Sequence, residues 1–289
     1  MKVPGILCAA FLALSAPVAG AVDTTEEVER PRIGLALSGG GARGSAHVGV
    51  LRMLDELGVP VDYIAGTSMG SIIGALYASG YTADGIQRVL DTMDWETALT
   101  DRPDRIHRTM RRKELESDLL IPYRLGFNKG SLELPLGVIE GQHLDQVLHH
   151  LLMPVVDIRS FDELEIPFRA VATDLVSGEE VVLSSGSLPN ALRASMSVPG
   201  VFAPVDIDGR LLVDGGMSNN LPVSVVRAMG ADIVIAVDIS APMLEREQLT
   251  SVISVTEQLT NFLTRRSTDA QIASLGEDDI LIVPELDEF

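Results

Sequence analysis

Apolar residues arrive along this chain in two rhythms. Short runs, Ile33 to Leu37, Val59 to Ala65, Phe168 to Thr173 and Ile233 to Val237, have the length and bulk of strands buried in a sheet. Between the first of them, apolar positions recur at helical spacing: Val48, Leu51, Leu54 and Leu57 until Gly58, then Ile72, Ile73, Leu76 and Tyr77 ending near Gly80. Strand, loop, helix, strand, loop, helix predicts an α/β domain with parallel strands, whose ligand sites lie beyond the carboxyl ends of those strands. Further along, a Ser177-Gly178 turn precedes a Val181 to Leu183 strand, and Asp208-Gly209 separates Val205 to Ile207 from Leu211 to Val213. The second turn predicts a hairpin that delivers Asp214 at a strand end. Val252 to Leu263 has the pattern of a surface helix, and Ile280 to Val283 that of a final strand.

Two stretches break the rhythm. Residues 1–21 carry Lys2, an apolar stretch from Ile6 to Leu14 and the small residues Ala19-Gly20-Ala21, the layout of a secretory signal peptide. An acidic linker, residues 22–31, follows. Residues 101–160 crowd Arg102, Arg105, Arg108, Arg111, Arg112 and Lys113 together and then scatter prolines and glycines from Pro122 to Gly141, the texture of an insertion or lid. The rest, 32–289, reads as one domain, without repeats or low-complexity linkers.

Two glycine-built turns carry the chemistry. Gly66-Thr67-Ser68-Met69-Gly70 matches the G-x-S-x-G elbow, in which a strand reverses into a helix and small flanking residues let a serine hydroxyl project into a cleft. Gly39-Gly40-Gly41-Ala42-Arg43-Gly44 supplies closely spaced backbone N–H groups suited to an oxyanion. A serine hydroxyl needs a base, usually histidine. The five histidines are His47, His107, His143, His149 and His150, and none lies late in the chain, where an α/β-hydrolase triad requires one. What the chain offers late is Asp214, followed by Gly215 and Gly216; a carboxylate held against a serine in a partly desolvated pocket can take the proton directly. Taken alone, Asp214 reads better as an ordinary turn aspartate.

Composition narrows the partners. The formal net charge is −19, which argues against nucleic acid. The lone cysteine, Cys8, falls inside the expected signal segment, so no thiol nucleophile, disulfide or cysteine-held metal is expected in the mature domain. No spaced-carboxylate calcium loop accompanies the site, and the chemistry calls for neither a metal nor a cofactor. The basic cluster 102–113 reads either as a solvated helix face paired with the acidic body or as a membrane contact, and Leu115, Leu119, Leu120, Ile121, Leu125 and Phe127 after it as core or as an apolar entry rim.

The three blocks, Gly39 to Gly44, Gly66 to Gly70 and Asp214-Gly215-Gly216, in that order, resemble the signatures of patatin-like phospholipases. Phe168 to Asp174 and Arg193 to Gly200 are similar as well, so the resemblance covers residues 32 to 286. It implies a three-layer α/β/α patatin-like fold with a mainly parallel central sheet. It also implies hydrolysis of glycerophospholipid or lysophospholipid acyl esters through an acyl-enzyme. In that reading Ser68 is the nucleophile and Asp214 the proton acceptor. Gly39, Gly40, Gly41 and Met69 form the oxyanion hole, with Gly39 shaping the turn, and Gly44, Gly66, Gly70, Gly215 and Gly216 complete the motifs. Arg43 resembles a loop cation that holds a lipid phosphate; its other reading is an arginine paired with a carboxylate in the fold. The chain is also similar to the secreted patatin part of bacterial outer-membrane proteins that carry a POTRA module and a β-barrel. That implies an exported, periplasmic, secreted or outer-membrane-associated protein in contact with a membrane surface, with monomer and homodimer both open.

Rival readings remain. Gly39 to Gly44 also fits the dinucleotide-binding fingerprint, with Asp62 roughly where a ribose-binding acid would sit, though that leaves Ser68 and Asp214 unused. A soluble carboxylesterase or thioesterase would use the same site. A catalytically silent lipid-binding module would have no chemical need for all three motifs.

Overall fold

The computed structural model describes residues 30–98, 126–128, 131–133, 139–240 and 242–286. The expected signal peptide, the acidic residues 22–29, the basic cluster 102–113 and the apolar residues from Leu115 to Leu125 lie outside the described residues.

Strands β1 (Ile33–Leu37), β2 (Tyr63–Thr67), β5 (Phe168–Asp174), β6 (Glu180–Leu183), β7 (Val205–Ile207), β8 (Arg210–Asp214), β9 (Ile233–Val237) and β10 (Ile280–Ile282) form one sheet; β3 (Gly126–Asn128) and β4 (Ser131–Glu133) make a separate antiparallel pair. The order across the sheet is β10-β9-β1-β2-β5-β8-β7, with β6 paired to β5. From β10 to β5 every pairing is parallel, while β6 and β8 run against β5. The helices are α1 (Ser45–Leu57), α2 (Met69–Ala78), α3 (Ala83–Thr92), α4 (Trp95–Ala98), α5 (Gln142–Leu151), α6 (Leu188–Ser195), α7 (Val223–Met229) and α8 (Val252–Ile272).

Alternation along the strands builds the three layers. Leu35 and Leu37 of β1 point into a core with Val48, Leu51 and Leu54 of α1, Ile73 and Leu76 of α2 and Leu192 of α6. Ala36 between them faces the other side, where Ala65, Val171 and Ala236 pack under Val223, Val225 and Val226 of α7. Small residues on that second face let a short helix approach the sheet closely. Helix α1 ends on Gly58 in the left-handed conformation (φ 64°), which a glycine adopts without a Cβ clash.

Within the stretch read as an insertion or lid, helix α5 buries Leu144 and Leu148, with Leu152 just beyond it, in the same core as α1 and α2. Its helical apolar spacing was hidden among polar and basic neighbours.

One register relationship positions the chemistry. Thr67, the last residue of β2, lies opposite Val171, and Asp214, the last residue of β8, lies opposite Ala172. Consecutive residues of β5 therefore bring the ends of the elbow strand and the aspartate strand together.

Candidate active site

Ser68 sits between β2 and α2 with φ 52° and ψ −123°, one of two non-glycine residues with positive φ among those described. Such a backbone costs about 1–3 kcal/mol and persists only where its surroundings hold it. Here they do. The Ser68 N–H donates to Ser195 Oγ at 2.9 Å, and its carbonyl accepts from the Ser71 N–H at 3.0 Å and the Ser71 hydroxyl at 2.6 Å. The flanking glycines are steric requirements: a Cβ on Gly66 would strike the Gly70 carbonyl, and one on Gly70 would stand 2.5 Å from the Leu37 and Ser38 carbonyl oxygens.

Asp214 is 6% exposed. Its carboxylate accepts the Gly216 N–H at 2.8 Å and faces the Ser68 hydroxyl as a hydrogen-bond acceptor. Its N–H donates to the Ser197 carbonyl at 2.9 Å, and its own carbonyl accepts the Thr173 hydroxyl at 2.9 Å. Burial pushes the Asp214 carboxyl up to about 6, against the hydrogen bonds from Ser68 and Gly216, which favour the ionised form. Gly215 is needed because a side chain there would collide with the Val171 carbonyl. Near neutral pH the carboxylate is ionised yet basic enough to take a proton.

The first glycine loop lies against Ser68, since a Cβ on Gly39 would be 3.0 Å from the Ser68 Cβ. The Gly39 N–H donates to the Asn220 carbonyl at 3.2 Å. Gly39 therefore shapes the loop and supplies no donor, which corrects its place among the four oxyanion-hole residues. The Gly40 and Gly41 N–H groups precede the first bond of the turn Gly41–Gly44, Arg43 N–H to Gly40 carbonyl at 3.2 Å, and Met69 is the first residue of α2. All three N–H groups open helical turns and have no intrahelical acceptor. Gly44 leaves room for the Met69 side chain.

Arg43 donates from Nη1 to the Ser240 carbonyl at 2.7 Å, a backbone oxygen and not a carboxylate. His47 is fully buried, donates from Nε2 to the Ser38 carbonyl at 2.8 Å and is held neutral, its imidazole lowered to about 4 by burial. That makes it a support for the loop rather than a base. Asp62 accepts the Ile33 N–H at 2.7 Å, a strand-end contact that occupies the carboxylate a ribose would need.

Three supporting groups were not anticipated as such. Ser195 Oγ donates to the Val171 carbonyl at 2.5 Å while accepting from Ser68. Thr67 Oγ1 donates to the Asn219 carbonyl at 2.8 Å. Asn220 Nδ2 lies 3.3 Å from the Gly39 carbonyl and 2.9 Å from Ser240 Oγ. The two asparagines just after the aspartate loop thus stitch both glycine loops together; their only sequence signal is that closeness to Asp214-Gly215-Gly216. Two clefts of about 580 and 520 Å3 run along α3 and are lined by none of these residues.

A strained serine at a strand-to-helix turn, a buried carboxylate facing it and a glycine loop alongside define the class: an α/β fold of the nucleophile-elbow type. The chain belongs to the patatin-like phospholipase family, whose model matches residues 35–227. It is 37% identical over 210 residues to an uncharacterised NTE family protein of Mycobacterium tuberculosis, covering 73% of this chain and 49% of that protein. To patatin-like phospholipase domain-containing protein 6 of Homo sapiens it is 35% identical over 211 residues, 72% of this chain and 13% of that protein. The chain thus spans about half the length of its mycobacterial relatives and a smaller share of the mammalian one. Among solved structures, VipD from Legionella pneumophila aligns with a TM-score of 0.44 at 16% identity over 74% of this chain and 51% of that one.

Proposed function

We propose that this chain is a lipid acyl hydrolase of the phospholipase A type, cleaving carboxylic esters of glycerophospholipids or lysophospholipids with a Ser68-Asp214 dyad. The observation that carries the reading is the Asp214 carboxylate, buried and raised to about 6, facing the hydroxyl of a serine held at φ 52°. Asp214 takes the Ser68 hydroxyl proton as Oγ attacks the ester carbonyl carbon. The oxyanion that forms is held by the N–H groups of Gly40, Gly41 and Met69, and losing one such donor costs about 2.7–4 kcal/mol of transition-state stabilisation. Collapse breaks the ester bond, and the leaving alcohol oxygen takes the proton from Asp214. The acyl-Ser68 ester is then attacked by a water that Asp214 deprotonates, releasing the fatty acid and returning the proton to Ser68.

The reading extends to export of the chain, supported by the signal-peptide layout of residues 1–21, and to Arg43 as the cation that holds a lipid phosphate by charge-assisted hydrogen bonds. The test is hydrolysis of phospholipids labelled at sn-1 or sn-2, beside a neutral short-chain ester, by the purified protein and by Ser68→Ala. Serine-dependent release from the phospholipids is expected. Release from the neutral ester alone would move the activity to a carboxylesterase or thioesterase, and no release from any substrate would favour a silent lipid-binding module.

A further inference from the structure

Helix α8 carries two unlike faces. Its inner face is polar and wired to the site: Ser267 Oγ accepts the Asn220 N–H at 3.2 Å, Thr268 Oγ1 lies 3.4 Å from Asn220 Nδ2, and Gln271 Oε1 accepts the Ser224 N–H at 2.9 Å. Thr264 stands over Gly216, its hydroxyl 3.5 Å from where a Cβ there would lie. Its outer face is apolar. Val255, Leu259 and Phe262, followed by Arg266, recur at spacings of four, three and four, which is one stripe of a helix. Leu259 is 57% and Phe262 52% exposed, and Leu263 flanks them in the open.

The loop before the helix adds Met243 and Leu249, both exposed. It is fastened to α8 by the Leu244 N–H to Gln258 Oε1 at 2.8 Å and by Gln258 Nε2 to the Leu244 carbonyl at 3.2 Å. Six of the seventeen large apolar side chains exposed among the described residues fall within 243–263, so the stripe is a patch and not scatter. The start of the helix is nevertheless well formed, with the Ser251 hydroxyl accepting the Ser254 N–H at 3.1 Å and the Ser254 hydroxyl accepting the Ser251 N–H at 3.0 Å.

We propose that the outer face of α8, centred on Val255, Leu259 and Phe262, is the surface by which this protein lies on a lipid membrane. The proposal deepens the functional reading above and rests on it for the identity of the occupant. An apolar stripe that ends in a cation matches the boundary between acyl chains and phosphate headgroups, where Leu and Phe enter and Arg stays with the anions. A second copy is the other possible occupant, and the oligomeric-state arm of the test below separates it from lipid. No helix among the described residues is long and apolar enough to cross a membrane, so α8 lies along the surface rather than through it. The arrangement also ties docking to chemistry. The helix that meets lipid is the one whose inner side holds Asn220, the partner of Gly39, and covers Gly216 beside Asp214.

The test uses the purified protein carrying Ser68→Ala, so that lipid is not consumed, in sedimentation with vesicles of phosphatidylcholine and phosphatidylglycerol in equal parts. Adding Leu259→Glu and Phe262→Glu is expected to weaken vesicle binding at least about tenfold, since each side chain loses the transfer of a large apolar group from water. Leu259→Met with Phe262→Leu is expected to retain it. In the Ser68 background, the glutamate pair is expected to keep hydrolysis of a dissolved short-chain ester within about threefold of wild type while losing hydrolysis of vesicle phospholipid. Unchanged vesicle binding by the glutamate pair would overturn the proposal, as would a protein that ignores vesicles altogether. So would a dimer dispersed by the glutamate pair with vesicle binding intact, which would make this face a contact between copies. If wild type hydrolyses no ester but Ser68→Ala binds vesicles through α8, the docking face stands and the assigned reaction falls.

Discussion

The Ser195 hydroxyl accepts the Ser68 N–H at 2.9 Å and at the same time donates to the Val171 carbonyl at 2.5 Å. It thereby joins the elbow to β5, the strand whose Val171 and Ala172 set Thr67 beside Asp214. Removing it leaves a buried donor and a buried acceptor without partners, about 1–3 kcal/mol each. Ser195→Ala is expected to lower kcat at least about tenfold with KM nearly unchanged, because the hydroxyl touches the backbone of Ser68 and, in the proposed mechanism, not the lipid. A rise in KM with kcat retained would place Ser195 in substrate binding instead.

The raised Asp214 carboxyl makes stability and activity move in opposite directions with pH. Its native value, about 6, lies above the ordinary 3.8, so the native state holds this proton more tightly than the unfolded chain. The favourable contribution is complete below about pH 4 and is lost as pH rises through 6, about 3 kcal/mol in all. Asp214→Asn is therefore expected to gain stability relative to wild type across that window, measured by chemical denaturation at pH 4, 5, 6 and 7. Wild-type kcat/KM is expected to rise through the same window and Asp214→Asn to be inactive throughout. A difference in stability that does not vary with pH would mean that the carboxyl is not perturbed by burial.

Asn220 donates to the Gly39 carbonyl and receives the Gly39 N–H, fastening the first glycine loop from both sides. Asn220→Ala is expected to cut kcat about ten- to a hundredfold for every ester substrate alike, read from steady-state kinetics on phospholipid and short-chain ester. A loss confined to phospholipid would place Asn220 with the headgroup.

Arg43 reaches the Ser240 carbonyl at 2.7 Å, which leaves the rest of its guanidinium to be tested as an anion site. Arg43→Ala is expected to reduce hydrolysis of a phospholipid more than that of a neutral ester of the same acyl chain. Equal losses would make the arginine a tether between the glycine loop and the end of β9.

Much of the fold was legible because it rests on apolar rhythm. The Ile33 to Leu37 and Ile233 to Val237 runs are β1 and β9, and the Asp208-Gly209 turn, with φ 54° and 77°, joins β7 to β8 as expected. The Val59 to Ala65 run is only partly strand: β2 begins at Tyr63, while Val59 and Val61 pack against the core from the connection before it. Helix α8 continues nine residues past Leu263, because Ser267, Thr268 and Gln271 are held by hydrogen bonds to Asn220 and Ser224 that leave no hydrophobic trace. The glycine motifs were visible for a steric reason, since each marks a place where backbone meets backbone. Ser195 and Asn220 were invisible as supports because a hydroxyl or an amide satisfying a distant backbone group produces no period and no spacing.

The most direct test of the central claim is the intact mass of the protein after reaction with a phospholipid analogue carrying a fluorophosphonate in place of the scissile ester. The dyad requires one adduct, located by fragmentation on Ser68, absent from Ser68→Ala and strongly slowed in Asp214→Asn. An adduct on another residue, or labelling of Asp214→Asn at the wild-type rate, would contradict it.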